Sequence, residues 1–223
     1  GKTPLVRLNN VSRRFGLAVY GKIETVNPTG SHKDRESIKV VVDAIRKGYR
    51  SVGCASTGNA AISLAAYSLM KGLECHIYVP ESISQERLTL IKAFRPKIRY
   101  VTGGYMGAVR KSNVEMSRRQ IYNANPGTCA AKILGNFEIG KEIADQLRPD
   151  LVICPTNNGT HLTGVWMGLK YRGLRSRIVA ATAAHTEIAD SIHGFHKLDE
   201  PGLTKTLSVS KGVVVDVDDD EII

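Results

Sequence analysis

No apolar run in this 223-residue chain approaches the ~20 residues of a membrane-crossing helix. No basic segment followed by an apolar one opens it either. A membrane partner is therefore not expected. Cysteine is sparse: Cys54, Cys75, Cys129 and Cys154 are scattered, with no C-x-x-C pair. That spacing argues against a zinc or dithiol motif and fits a reducing, cytoplasmic setting, with each thiol a small buried hydrophobe. The six histidines show no paired metal-ligand spacing, so no metal site is expected. Aromatic residues make up only 6%, and no arginine-rich arm or RNA-binding aromatic motif accompanies the net charge of +10. Lysine and arginine are spread along the whole chain, which argues against nucleic acid and suits an anionic small molecule. Internal repeats and low-complexity linkers are also absent.

What is present is ordinary globular composition, 42% hydrophobic and 23% charged, and a repeating strand–turn–helix rhythm. Buried strands are expected at 51–55, 74–79, 97–102, 151–154, 177–181 and 211–217, with a strand-like run at 18–24. Helices are expected at 60–71, 105–119 and 161–171, with another marked by Phe137, Ile143, Ala144 and Leu147. Ser82-x-x-Gln85 has the form of a capping box, opening a helix that runs to about Phe94. Residues 186–193 are expected to be helical and 194–210 irregular. The acidic run Asp216, Asp218, Asp219, Asp220 and Glu221 suits a first helical turn. This alternation implies parallel sheets covered by helices, with right-handed crossovers.

One stretch concentrates chemistry: Asn27-Pro28-Thr29-Gly30-Ser31-His32-Lys33-Asp34-Arg35. Pro28 and Gly30 make a turn. Beyond it, Ile38, Val41, Val42 and Ile45 recur at helical spacing, and Gly48 marks the stop. Lys33 is thereby placed at the mouth of a helix, where partial positive charge favours a bound anion. A lysine amine attacks a carbonyl only when unprotonated, so a reactive one needs desolvation or cationic neighbours; His32 and Arg35 flank it.

This stretch resembles the active-site segment of the fold-type II pyridoxal-phosphate enzymes, the tryptophan-synthase-β-like group, and is most similar to the threonine synthases. Gly1-Lys2-Thr3-Pro4-Leu5 resembles the segment preceding that group's first strand. The resemblance implies that Lys33 carries pyridoxal 5'-phosphate and then acts as base at the substrate's α-carbon. It also implies two three-layer α/β domains with mainly parallel sheets and the cofactor in the cleft between them. The larger domain would comprise 1–35 with 131–223, the smaller and mobile one 36–130, and the chain reads as short at both ends.

Two further turns lie between a strand and a helix, where open α/β sheets bind ligands. Ser56-Thr57-Gly58-Asn59-Ala60 is similar to the family's substrate loop. That implies Ser56, Thr57 and Gly58 on the substrate carboxylate and Asn59 on both substrate and the cofactor's ring oxygen. By residue chemistry alone this turn suits ordinary helix capping better than ligand binding. Thr156-Asn157-Asn158-Gly159-Thr160-His161 matches the phosphate loop, with larger side chains than the glycine-rich family form. His32 stands where threonine synthases carry an aromatic; it suits phosphate contact or packing. The family's Ser or Thr partner for the pyridine nitrogen has no counterpart before Ile223. The implied substrate is an amino acid, a phosphorylated one, in a homodimeric enzyme converting O-phosphohomoserine to threonine. Cysteate synthase, sulfhydrylase or serine/threonine dehydratase activity, or a non-catalytic relative, are the alternatives.

Overall fold

The computed structural model describes residues 2–183 and 185–222. The chain opens with β1 (Leu5–Arg7), α1 (Asn9–Phe15) and β2 (Tyr20–Lys22), then a 3-10 turn at Glu24–Val26 and α2 (Lys33–Arg46). There follow β3 (Ser51–Ala55), α3 (Asn59–Met70), β4 (Glu74–Pro80), α4 (Gln85–Lys92), β5 (Lys97–Val101), α5 (Gly104–Arg118) and β6 (Tyr122–Asn123). The rest comprises α6 (Ala130–Gln146), β7 (Leu151–Pro155), α7 (Thr160–Tyr171), β8 (Arg177–Thr182), α8 (Glu200–Ser210), β9 (Val213–Asp216) and α9 (Asp219–Ile222).

β1 and β2 pair antiparallel, with Val6 opposite Gly21. The other strands form two parallel sheets, ordered β5-β4-β3-β6 and β7-β8-β9. Parallel strands need crossovers long enough for a helix, which is what the alternating sequence provides. The four-stranded sheet is covered on both faces. Val52, Cys54, Cys75, Ile77 and Val79 pack against Val40, Val41 and Ala44 of α2 and Ala61, Leu64 and Ala65 of α3. The alternate residues Ala55 and Tyr78 face Ala108, Val109 and Met116 of α5. This two-sided burial is why β4 reads as an almost unbroken apolar run. In the three-stranded sheet Cys154, Ile178 and Ala180 meet Ile139, Leu162, Val165 and Leu203 from α6, α7 and α8. On its other face, Ile153 is 62% exposed.

Several expectations are corrected by the structure. The strand-like run 18–24 yields only the three residues of β2. The buried stripe of α2 is Ser37, Val40, Val41 and Ala44, whereas Val42 and Ile45 are 51% and 46% exposed. The helical period is right and the phase is not, because α3 approaches closely enough for the Ser37 and Ser63 hydroxyls to hydrogen-bond at 2.8 Å. The cap of α4 is Ser84, whose Oγ accepts the Arg87 N–H, rather than Ser82. Residues 186–193 are turns with a 3-10 segment at Asp190–Ile192, not a helix. Thr186 Oγ1 accepts from the N–H groups of Ile188 (3.1 Å) and Ala189 (2.8 Å), closing a turn there. Residues 200–210, expected to be irregular, are α8. Its Ser, Thr and Gly content hides a helix that α7 secures: Gly202 sits where a Cβ would meet Thr163 Oγ1 at 2.7 Å.

Candidate active site

The turn that opens α2 is pinned by the helix it precedes. Asp34 Oδ2 accepts the Thr29 N–H at 2.7 Å, and Oδ1 accepts the hydroxyls of Thr29 and Ser63. An acceptor in the first turn of a helix satisfies donors that would otherwise lack partners and complements the helix dipole. Through Ser63 the same carboxylate ties α2 to α3, the helix that begins at Asn59. Lys33 is thereby fixed as the first residue of α2, its side chain one-quarter exposed.

Lys33 Nζ donates to Glu36 Oε1 at 2.8 Å. Glu36 is only 1% exposed and stands among several donors. Lys132 Nζ lies 3.4 Å from Oε2, Asn136 Nδ2 donates to Oε1 at 2.9 Å, and His32 Nε2 stands 3.8 Å away. Asn136 Oδ1 in turn meets His161 Nδ1 at 2.9 Å, and the rings of His32 and His161 tilt against each other at 4.5 Å. Burial works against the Glu36 charge, but Lys33 and Lys132 outweigh it and hold the carboxyl well below the usual range. Burial likewise opposes the charge on Lys132, and Glu36 overrides it, raising the amine above its ordinary value. Desolvation, aided by Lys33, pushes His32 well below its normal value and His161 down to about 4. Both imidazoles are therefore neutral near pH 7.

This corrects the expected cationic flank. His32 is uncharged, and Arg35 points away from Lys33. Arg35 forks onto Glu24 (2.7 Å from Nε) and Glu142 (2.7 Å from Nη1), with Thr3 Oγ1 at 3.0 Å. It anchors the N-terminal segment to α6. The nearby cation is Lys132, in a stretch that carries no local signal.

The other two predicted turns reach the same place. Cys54, at the end of β3 and two residues before Ser56, senses the charges of Lys132, Glu36 and Lys33; burial raises its thiol to about 11. The strand end is held by Asn125 Oδ1, which accepts the Ala55 N–H at 2.7 Å. Ser56, Thr57 and Gly58 are half-buried, Asn59 is exposed, and a Cβ on Gly58 would enter open space. In the third turn, Thr156 and Asn157 are engaged with scaffold. Thr156 Oγ1 donates to Cys154 O at 2.7 Å, and Asn157 Nδ2 donates to His193 O at 2.6 Å while its Oδ1 accepts the His196 N–H. Asn158 Oδ1 and Thr160 Oγ1 are buried without a hydrogen-bond partner among the described residues. Gly159, at φ +89°, precedes α7 with no room for a Cβ, since Leu203 Cβ would lie 2.9 Å away. Tyr105, at the start of α5, faces Asn158 and Lys132. Helices α2, α5, α6 and α7 thus all begin around one region, and their first-turn N–H groups favour an anion there.

A model of the family described as pyridoxal-phosphate dependent enzyme matches residues 1–223. The chain belongs to that family. Among curated relatives, threonine synthase of Bacillus sp. (strain ULM1) is 34% identical over 211 residues, covering 90% of this chain and 58% of the relative. Threonine synthase of Methanocaldococcus jannaschii is 37% identical over 175 residues, covering 76% and 43%. The chain therefore spans about half the length of these relatives. The fold is shared with maize serine racemase at a TM-score of 0.86, with 20% identity over 99% of this chain and 72% of that one. The family's cofactor, pyridoxal phosphate, fits the residues present. A partly exposed amine, a buried hydroxyl lacking a partner and converging helix starts match its aldehyde and its phosphate. Sequence reading missed Glu36, Lys132, Asn136 and Tyr105. An acidic residue in a first helical turn reads as surface dipole compensation, and nothing local distinguishes the other three.

Proposed function

We propose that this chain acts on an amino-acid substrate, converting O-phosphohomoserine and water to threonine and phosphate. The observation carrying the site reading is one connection. The Lys33 amine and the unpartnered Thr160 hydroxyl stand at the starts of two helices joined through Glu36, Asn136 and His161. The choice of reaction rests on the threonine synthase relatives.

When bound, pyridoxal phosphate supplies an electron sink beside the substrate's amino group. Lys33 would hold the cofactor through Nζ, and the same amine would be placed to move a proton at the substrate's α-carbon. Thr160, the Asn158 amide and the first-turn N–H groups of α7 hold the phosphate, with Gly159 giving the backbone its approach. Thr156 and Asn157 shape that loop, and His32 packs beside it. Ser56, Thr57, Gly58 and Asn59 take the substrate carboxylate, and Asn59 also takes the ring oxygen. The cleft lies between a unit of residues 36–130 and one of 1–35 with 131–223, whose closure excludes water.

The test is a visible spectrum with added pyridoxal phosphate, borohydride reduction and mass mapping. The expected result is modification at Lys33, lost in Lys33→Ala without loss of fold. Phosphate release from O-phosphohomoserine supports the proposed reaction. Oxoacid from serine or threonine, or sulfide consumption with an activated serine, would replace it with a dehydratase or sulfhydrylase. Modification of Lys33→Ala at an unchanged level would overturn the site.

A further inference from the structure

In the reading above the carboxylate beside Lys33 only links two helices and has no chemical task. Glu36 lies one helical turn beyond Lys33, faces inward rather than to solvent and is 1% exposed. A buried carboxylate is costly unless paired, and this one is paired twice over. Oε1 receives Lys33 (2.8 Å) and Asn136 (2.9 Å), and Oε2 faces Lys132 (3.4 Å). The surplus matters, because a lysine that bonds to an incoming aldehyde must leave its carboxylate. Without Lys132 and Asn136, that departure would strand a buried charge.

We propose that Glu36 is a positioning residue for Lys33: locked in place by Lys132 and Asn136, its carboxylate grips the Lys33 amine until the cofactor's aldehyde displaces it. The inference rests on the reading of Lys33 as the cofactor-bearing residue. Attachment joins Nζ to the aldehyde carbon, expels the aldehyde oxygen as water and requires the amine to shed its extra proton to solvent. Glu36 opposes that loss, and Lys132 competes for Glu36, so the two side chains act on Lys33 in opposite directions. The other titratable groups facing the cluster are His32 before α2, Cys54 from β3, Tyr105 from α5, Cys129 at the head of α6, His161 from α7 and Glu24 from the N-terminal segment.

The experiment is acetylation of the full chain by acetic anhydride across a pH series, read at the Lys33 peptide by mass spectrometry. Only the uncharged amine reacts. Glu36→Gln is expected to move the Lys33 labelling profile to lower pH, read as roughly a tenfold gain in labelling at a fixed pH below the midpoint. Lys132→Met is expected to move it to higher pH. General loosening of the structure would not give opposite signs. Should Glu36→Gln leave Lys132 unpaired and fail to fold, the double variant Glu36→Gln/Lys132→Met is read instead against Lys132→Met, which isolates Glu36, with a shift to lower pH relative to that single variant expected. An unmoved or upward-moving profile in whichever of these two variants folds would overturn the inference. Borohydride trapping of pyridoxal phosphate on the same samples separates this from the parent reading. Labelling that shifts as expected without trapped cofactor supports Glu36 and sinks the cofactor role. Trapped cofactor with an unmoved labelling profile does the reverse.

Discussion

Thr160 carries a buried hydroxyl with no partner among the described residues, at the first turn of α7. An unsatisfied buried donor costs roughly 1–3 kcal/mol, whereas a hydrogen bond to a charged group contributes about 1.5–3 kcal/mol. Thr160→Val keeps the shape and removes the hydroxyl. It should leave thermal stability without cofactor unchanged or raised, and weaken pyridoxal phosphate binding about tenfold or more by equilibrium titration. Equal affinity in the two proteins would remove Thr160 from the phosphate site. At this scale the sequence singled out Lys33 as a candidate, because a turn, a helix start and a specific run of neighbours coincide there. Glu36 stayed hidden: whether a first-turn acid faces water or a buried lysine depends on what packs over it, and that is α6, a hundred residues away.

The crossing of α6 and α7 depends on glycine. A Cβ on Gly140 would lie 2.0 Å from Val165 O, one on Gly164 2.4 Å from Asn136 Cβ, and one on Gly168 2.1 Å from Phe137 O. Each glycine costs its helix about 1 kcal/mol of propensity relative to alanine, a cost that the close backbone approach offsets. Gly168→Ala should therefore destabilise despite its better helix propensity, by about 1–3 kcal/mol or more, seen as a lowered denaturant midpoint. A stabilised variant would mean that the helices cross less closely. The same crossing brings Asn136 of α6 to His161 of α7, so tight packing serves the site directly. Strands and most helices were legible as elements, because apolar period and turn residues mark them locally. The phase of α2 was not, since the small residues Ser37 and Ala44 face the neighbouring helix while Val42 and Ile45 face outward. α8 was missed for a related reason: its contacts with α7, rather than its own residues, hold it helical.

Across the molecule, buried and paired titratable groups set how it responds to acid. His161 is pushed down to about 4 by burial, and His32 moves in the same direction. Between about pH 6.5 and 4 the unfolded chain binds more protons than the folded one, so this stability is fully present above that window and lost as pH falls through it. Burial opposes the charges on Glu142 and Glu24, but Arg35 holds both low, Glu142 at about 2 with help from Lys22. Their contribution is lost only at still lower pH, between about 4.5 and 2. Thermal melts should show a first decline below about pH 6.5 that His161→Gln makes shallower, and a second below about 4.5 that it leaves in place. An identical first decline in the variant would show that His161 is not the group responsible. The sequence by itself determined the alternating parallel architecture and the cofactor family and singled out Lys33 as the candidate cofactor-bearing residue, because each is written in periodicity or in one contiguous stretch. Only the tertiary structure decided which charges surround that lysine. Arg35 was drawn off to Glu24 and Glu142, His32 was made neutral, and Glu36 was turned inward to meet Lys132. Electrostatic environment is set by distance and burial between residues far apart in the chain, and neither can be read from their order.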